Sequence, residues 1–284
     1  ASVALLLGHP AAAGMLLVAA ATAFVAVNVL LLMRQRAGHT ALLLASAVAW
    51  WVGNVLFALQ AAAVAVLPWW FAFLVMTIAA ERLEMTRLMR RRPGASPALV
   101  LVLAAMLAGA ALTGLHARAG GVLFGAALLA LSLWLFAFDI ARRTVRAEGL
   151  SRYMAVCLLG GYAWLAVGGI AWMATASGAP ARDAALHALG LGFIVSMMMG
   201  HAPVILPAIA RVKLLFGGFF YVPLVLLHAS LLLRLGAGVA DFGWRAQGAL
   251  ANGLAVALFS PTAAGAALAW RARHGGRTTA RRPS

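Results

Sequence analysis

The stretch HALGLGFIVSMMMGHAPVILP, from His187 to Pro207, contains no Asp, Glu, Lys or Arg. It matches the run of about 20 apolar residues that carries an α-helix across the hydrocarbon of a bilayer. A helix is the form such a segment takes there, because it satisfies its own backbone N–H and C=O groups where water is absent. Its contents are nevertheless odd for a lipid-facing helix: two histidines, three consecutive methionines and two prolines. Length and polarity decide the fold, and the odd contents raise the question of function.

Applied along the chain, the same ruler marks nine spans, at roughly 11–33, 41–66, 69–89, 97–115, 121–140, 153–176, 184–209, 214–235 and 246–270. Short connections rich in Pro, Gly or Arg separate them, as in RRRPGASP and TASGAPARD. Of the 284 residues 65% are hydrophobic and 10% charged, too few charges to cover a soluble domain. The expected fold is therefore all-α, a polytopic membrane helix bundle. It forms one transmembrane domain over residues 1–270, followed by a basic, disordered tail at 271–284. The lone Cys157 excludes an intramolecular disulfide and a cysteine-based metal knuckle.

The net charge of +16 does not point to nucleic acid, because the basic residues lie in short clusters between apolar runs. Eighteen of the 22 basic residues follow spans one, three, five, seven and nine. Among them are Arg34, Arg36, Arg90, Arg91, Arg92, Arg142, Arg143 and Lys213. The opposite side has only Arg118, Arg182, Arg234 and Arg245. By the positive-inside rule the N-terminus lies outside and the C-terminus in the cytoplasm. Heavy use of Ala, Gly and Arg suggests a bacterial source, hence the bacterial cytoplasmic membrane, with membrane lipid as surroundings and no nucleic-acid partner.

Ionisable groups inside a membrane are costly, so each deserves a functional hypothesis. Helical rise sorts them into two tiers. His187 and His228 lie toward the outer side, with His9 and His116 at the same boundary, so an outer tier of imidazoles is expected. His201, Glu81, Tyr162 and Tyr221 make an inner tier, where Glu81 and Glu84 share a helix face with Thr77. In a straight helix His187 and His201 also share a face, but about 21 Å apart, too far for one metal ion.

Imidazole suits copper, zinc and haem iron alike. A copper ion held by His187 and His228 with His9 is one expectation for the outer tier. Met197, one turn before His201, adds a thioether attractive to Cu(I) or haem. The blander alternatives are that the methionines fill core space and that His201 donates to a carbonyl freed by Pro203. Glu84 is placed to pair with Arg87, whereas Glu81 is the better candidate for a proton relay. Asn28, Asn54 and Gln60 are expected as interhelical glue. Gly121 and Gly125 of span five and Gly160, Gly161, Gly168 and Gly169 of span six are expected as points of close helix approach.

No P-loop, G-x-S-x-G, H-E-x-x-H or C-x-x-C-H is present, leaving ATP hydrolysis, acyl transfer, zincin proteolysis and covalent haem attachment without support. The run LHALGLGFIVSMMMGH does resemble the His-Ala-Leu span of the NnrS family, with matching positions His187, Ala188, Leu189, Gly192 and Met197. Those are bacterial multi-pass membrane proteins, similar to haem–copper oxidases, that contain haem and copper and are linked to nitric oxide stress. They are longer, and their next histidine lies further along than His201. The resemblance implies haem b, with copper as a second candidate, His187 as a ligand, and a redox or nitric-oxide-related role. His201 and His228 join as ligands on the argument from tiers, with Glu81 and Glu84 as proton relay. A redox partner or another membrane subunit is the expected protein partner. The alternative is a proton-coupled transporter or channel that uses Glu81 and His201 at the proline-broken seventh span, without cofactor.

Overall fold

The computed structural model describes residues 1, 8–86, 94–210 and 212–274. Among them there is no strand, and nine helices are long and apolar enough to cross a membrane. We number these α1 (Pro10–Arg34), α2 (Gly38–Ala58), α3 (Ala63–Thr86), α4 (Ala95–Leu112), α5 (Ala117–Phe138) and α6 (Gly149–Ala176). They continue with α7 (Arg182–Ala210), α8 (Gly218–Ala240) and α9 (Phe242–His274). The all-α, nine-span reading therefore stands. The expected basic residues Arg87, Arg90, Arg91, Arg92 and Arg211, and the tail beyond His274, lie outside the described residues.

The boundaries differ from the sequence reading where the turn depends on backbone geometry rather than on composition. Pro68 was expected to separate the second and third spans. Instead α2 ends at Ala58, and Gln60 turns the chain with φ +61°. Pro68 then falls inside α3 as its sixth residue, in the second turn, where its ring leaves the Val64 carbonyl without a helical N–H. Gln60 is thus a turn residue and not interhelical glue. α8 begins at Gly218 rather than near 214 because the preceding segment is extended. The Leu215 N–H there donates to Ala266 O of α9 at 3.1 Å. α9 itself runs four residues into the expected tail, started by Asp241, whose carboxylate accepts from the N–H groups of Gly243 and Trp244.

The chain falls into two compact units. The first comprises residues 1–139 and 166–185, and the second residues 140–165 and 186–284, so α6 contributes to both. In the first unit Asn54 is fully buried and joins three helices. Its Nδ2 donates to Leu17 O of α1 at 3.3 Å, and its Oδ1 accepts from Trp70 Nε1 of α3 at 3.0 Å. Asn28 bonds only Phe24 O within its own helix. The expected glycine contacts are tight: a Cβ on Gly125 would stand 2.6 Å from Gly169 O, and one on Gly169 2.7 Å from Gly125 O. No side chain fits on either glycine, which lets the backbones of α5 and α6 approach closely and pack by van der Waals contact. The second unit packs Tyr153, Cys157 and Trp164 of α6 against Met199 of α7 and against Phe220, Leu224, Leu227 and Leu231 from α8.

Candidate functional site

The seventh span is distorted, and the distortion falls between its histidines rather than at its methionines or prolines. After one and a half turns of α-helix, Arg182–His187, the chain is π-helical over Ala188–Val195 and returns to α-helix at Ser196. A π segment is an uncommon geometry, with i→i+5 bonds, and is frequent at functional sites. It carries about one residue more than the α turns it replaces, which rotates the rest of the span by roughly 100°. His187 and His201 therefore do not share a face, contrary to the straight-helix expectation.

The neighbour that fits this distortion is α6. Gly192, inside the π segment, has the Trp164 indole against its Cα, where any side chain would overlap the ring. Gly161 receives the thioether methyl of Met197, and a Cβ on Gly200 would stand 2.9 Å from that of Cys157. Gly160 seats the imidazole of His228 from α8, with a hypothetical Cβ only 3.0 Å from two ring atoms.

Hydrogen bonds then join the three helices in a fixed direction. Trp164 Nε1 lies 2.8 Å from His228 Nδ1, with the two rings 1° from coplanar. An indole N–H donates and cannot accept, so Nδ1 is the acceptor and neutral His228 carries its proton on Nε2. That Nε2 is 3.3 Å from Ser196 Oγ, and Ser196 donates to Cys157 O at 3.2 Å. The sequence Trp164 to His228 to Ser196 to the Cys157 carbonyl is complete, and both imidazole nitrogens are used. Its ends neither release nor take up protons, so it holds helices together and does not conduct protons. As arranged here, His228 has no lone pair left for a metal, which does not fit its expected role as a ligand.

His201 is 6% exposed, and its Nδ1 donates to Met197 O at 2.6 Å. The carbonyl is not the one expected: the Pro203 ring frees Met199 O, four residues back, whereas His201 binds a carbonyl that lies inside the helix. A carbonyl only accepts, so in neutral His201 the lone pair is on Nε2. This is the arrangement in which metal-ligating histidines are commonly held, one ring N–H fixed by a backbone carbonyl and the other nitrogen a donor of electrons. Met197, 2% exposed, lies in the same turn. His187 is half-buried at the mouth of the π segment, and His9 is an exposed residue preceding α1 in the first unit.

The acidic residues of the inner tier are paired within the first unit. Glu81 Oε1 accepts from the neighbouring Arg82 at 3.0 Å, and Glu84 Oε2 lies 2.7 Å from His39 Nδ1. The expected partner Arg87 lies outside the described residues. His39 is not among the residues that the sequence singles out, although GHT directly after the Arg34–Arg36 cluster belongs to the same membrane boundary as ERLE. Among the described residues no group of three His, Cys, Asp or Glu side chains is placed to hold a metal ion.

The sequence profile of a family described as a domain of unknown function, DUF8744, matches residues 1–268, and the chain belongs to that family. No curated protein and no solved structure matches it.

Proposed function

We propose that this member of the DUF8744 family is a multi-pass protein of the bacterial cytoplasmic membrane that binds a haem-type cofactor through Nε2 of His201. The basic connections would face the cytoplasm, by the charge asymmetry of the loops. The observation that carries the reading is the His201 Nδ1–H bond to Met197 O in a nearly fully buried position. It orients the ring, selects the tautomer and raises the basicity of Nε2. Met197 supplies a soft thioether in the same turn. The resemblance of residues 187–201 to the NnrS span points the same way and to a redox or nitric-oxide-related role. When bound, haem iron supplies one-electron and diatomic-gas chemistry. The residues of this chain would contribute ligation, orientation and the exclusion of water. Copper has less support, because no three-residue ligand cluster is present among the described residues.

The test is an absorption spectrum of the purified protein, oxidised and dithionite-reduced, with metal analysis of the same sample. The expected result is a Soret band with reduced α and β bands, abolished by His201→Ala and retained by His228→Leu. Loss in His228→Leu with retention in His201→Ala would reverse the ligand assignment. A colourless, metal-free preparation that stays so after haem is supplied would overturn the cofactor reading.

The structure also favours a second reading, cofactor-free transport. The helix runs on through Pro203 and Pro207 and is not broken there, contrary to the expectation from sequence. What supports this reading is the π segment together with two prolines in one span, an irregular backbone of the sort that lines transporter cavities. On that reading a colourless protein in proteoliposomes supports a solute or proton flux that Pro203→Ala and Glu81→Gln reduce. A flux unaffected by either variant would remove it.

A further inference from the structure

The π segment is held at two points one helical turn apart, at Gly192 by α6 and at Ser196 by α6 and α8. At Gly192 the face of the Trp164 indole fills the space that a side chain would need. At Ser196, where α-helix resumes, the hydroxyl bonds Cys157 O of α6 and His228 Nε2 of α8. Trp164 belongs to both points, because its ring lies on Gly192 while its N–H holds His228 Nδ1. His228 in turn can reach both partners only because Gly160 leaves its ring lying on the α6 backbone. A costly local conformation persists when its surroundings over-determine it, and here the surroundings are one tryptophan, one histidine and one serine.

We propose that Trp164, His228 and Ser196 form a conformational latch that holds residues 188–195 of α7 in the π-helical state, and that opening it lets this segment rewind to α-helix. Rewinding removes one residue from the local register. Everything on the His187 side of the segment then turns by roughly 100° relative to the His201 side. The latch thus sets the mutual orientation of the two histidines of the seventh span. His228 acts as its central tie and not as a ligand. The inference does not depend on haem, since a colourless protein would need the latch just as much.

Two measurements on the full-length protein in lipid nanodiscs test it. The first is a set of 15N spectra of histidine-labelled protein, with His228 assigned by comparison with His228→Leu. The expected spectrum shows a neutral His228 with its proton on Nε2, converted by Trp164→Phe to a tautomer mixture. A proton on Nδ1 in the unsubstituted protein would overturn the proposal. The second is hydrogen exchange resolved by peptide. Trp164→Phe keeps an aromatic ring against Gly192 while removing the N–H together with part of the indole, so Ser196→Ala is the variant that removes the bond alone. Trp164→Phe and Ser196→Ala are each expected to speed exchange across residues 188–195 by up to about tenfold, the factor that an interhelical bond of the stronger kind is worth in a membrane. Exchange in α2 and α3 should not change. Unaltered exchange across 188–195 in both variants, or acceleration spread evenly over the chain, would show that no latch acts on this segment.

Discussion

Single residues in this protein separate into those that bind their own helix and those that bind another, and only the second kind bears on tertiary stability. Asn54 and Asn28 show the difference. Both are buried amides in apolar spans, yet Asn54 reaches α1 and α3 while Asn28 returns to Phe24 O of its own turn. Asn54→Ala removes two interhelical bonds and leaves the Trp70 N–H without its acceptor. It is expected to destabilise the protein by about 1–2 kcal/mol, whereas Asn28→Ala should stay within about 0.5 kcal/mol. Reversible unfolding in mixed micelles would measure both, and equal losses would contradict the assignment. Neither role is visible in sequence, since an asparagine in a hydrophobic run reads alike in both places. The same holds for the histidines. His201 bonds four residues back along its own helix, a contact that spacing permits a reader to guess, whereas the partner of His228 lies 64 residues away.

Elements meet where side chains are absent as much as where they are present. The Gly125 and Gly169 contact leaves no room for a methyl group, because each hypothetical Cβ falls within 2.7 Å of the opposing carbonyl oxygen. Gly125→Ala must push α5 from α6 and is expected to cost roughly 1–3 kcal/mol by overpacking. Gly253 of α9 has nothing within 4 Å, so Gly253→Ala should be neutral or slightly stabilising, by the helix propensity of alanine. Thermal scanning by size-exclusion recovery would rank the two, and an equal response would show that α5 and α6 tolerate separation. The glycines were legible as packing residues from their place in apolar runs. Which ones were critical was not, because glycine marks a contact without naming the partner. The π segment was invisible for a related reason: HALGLGFIV has no feature that forbids an ordinary α-helix, and Trp164 lies in a different span.

For the whole molecule, the property that loop charge predicts and labelling can test is orientation. Cys157 is fully buried, so maleimide reagents should leave the folded protein unlabelled and make it a clean background for engineered cysteines. Ser177→Cys, in the connection after α6, is expected to label from outside intact cells. Gln35→Cys, after α1, should label only once the membrane is permeabilised. The reverse pattern would invert the topology, and labelling of both from outside would refute the span count. The charge asymmetry that predicts this is a sum over many loop residues, so it survives errors of several residues at any one boundary.

The amino-acid sequence by itself determined that the chain is helical, that it crosses a membrane and that it has nine candidate crossings. Each of these depends on contiguous apolar length and on loop charge, both local properties of the chain. The tertiary structure alone decided that α2 turns at Gln60 and not at Pro68, that His228 is tied to Trp164 and Ser196, and that Glu84 meets His39. It also decided that the seventh span is π-helical between its two histidines. The physical reason is the same in each case. A polar group in an apolar medium must find a partner, and the partner is chosen by which helices pack together, which no window along the chain contains.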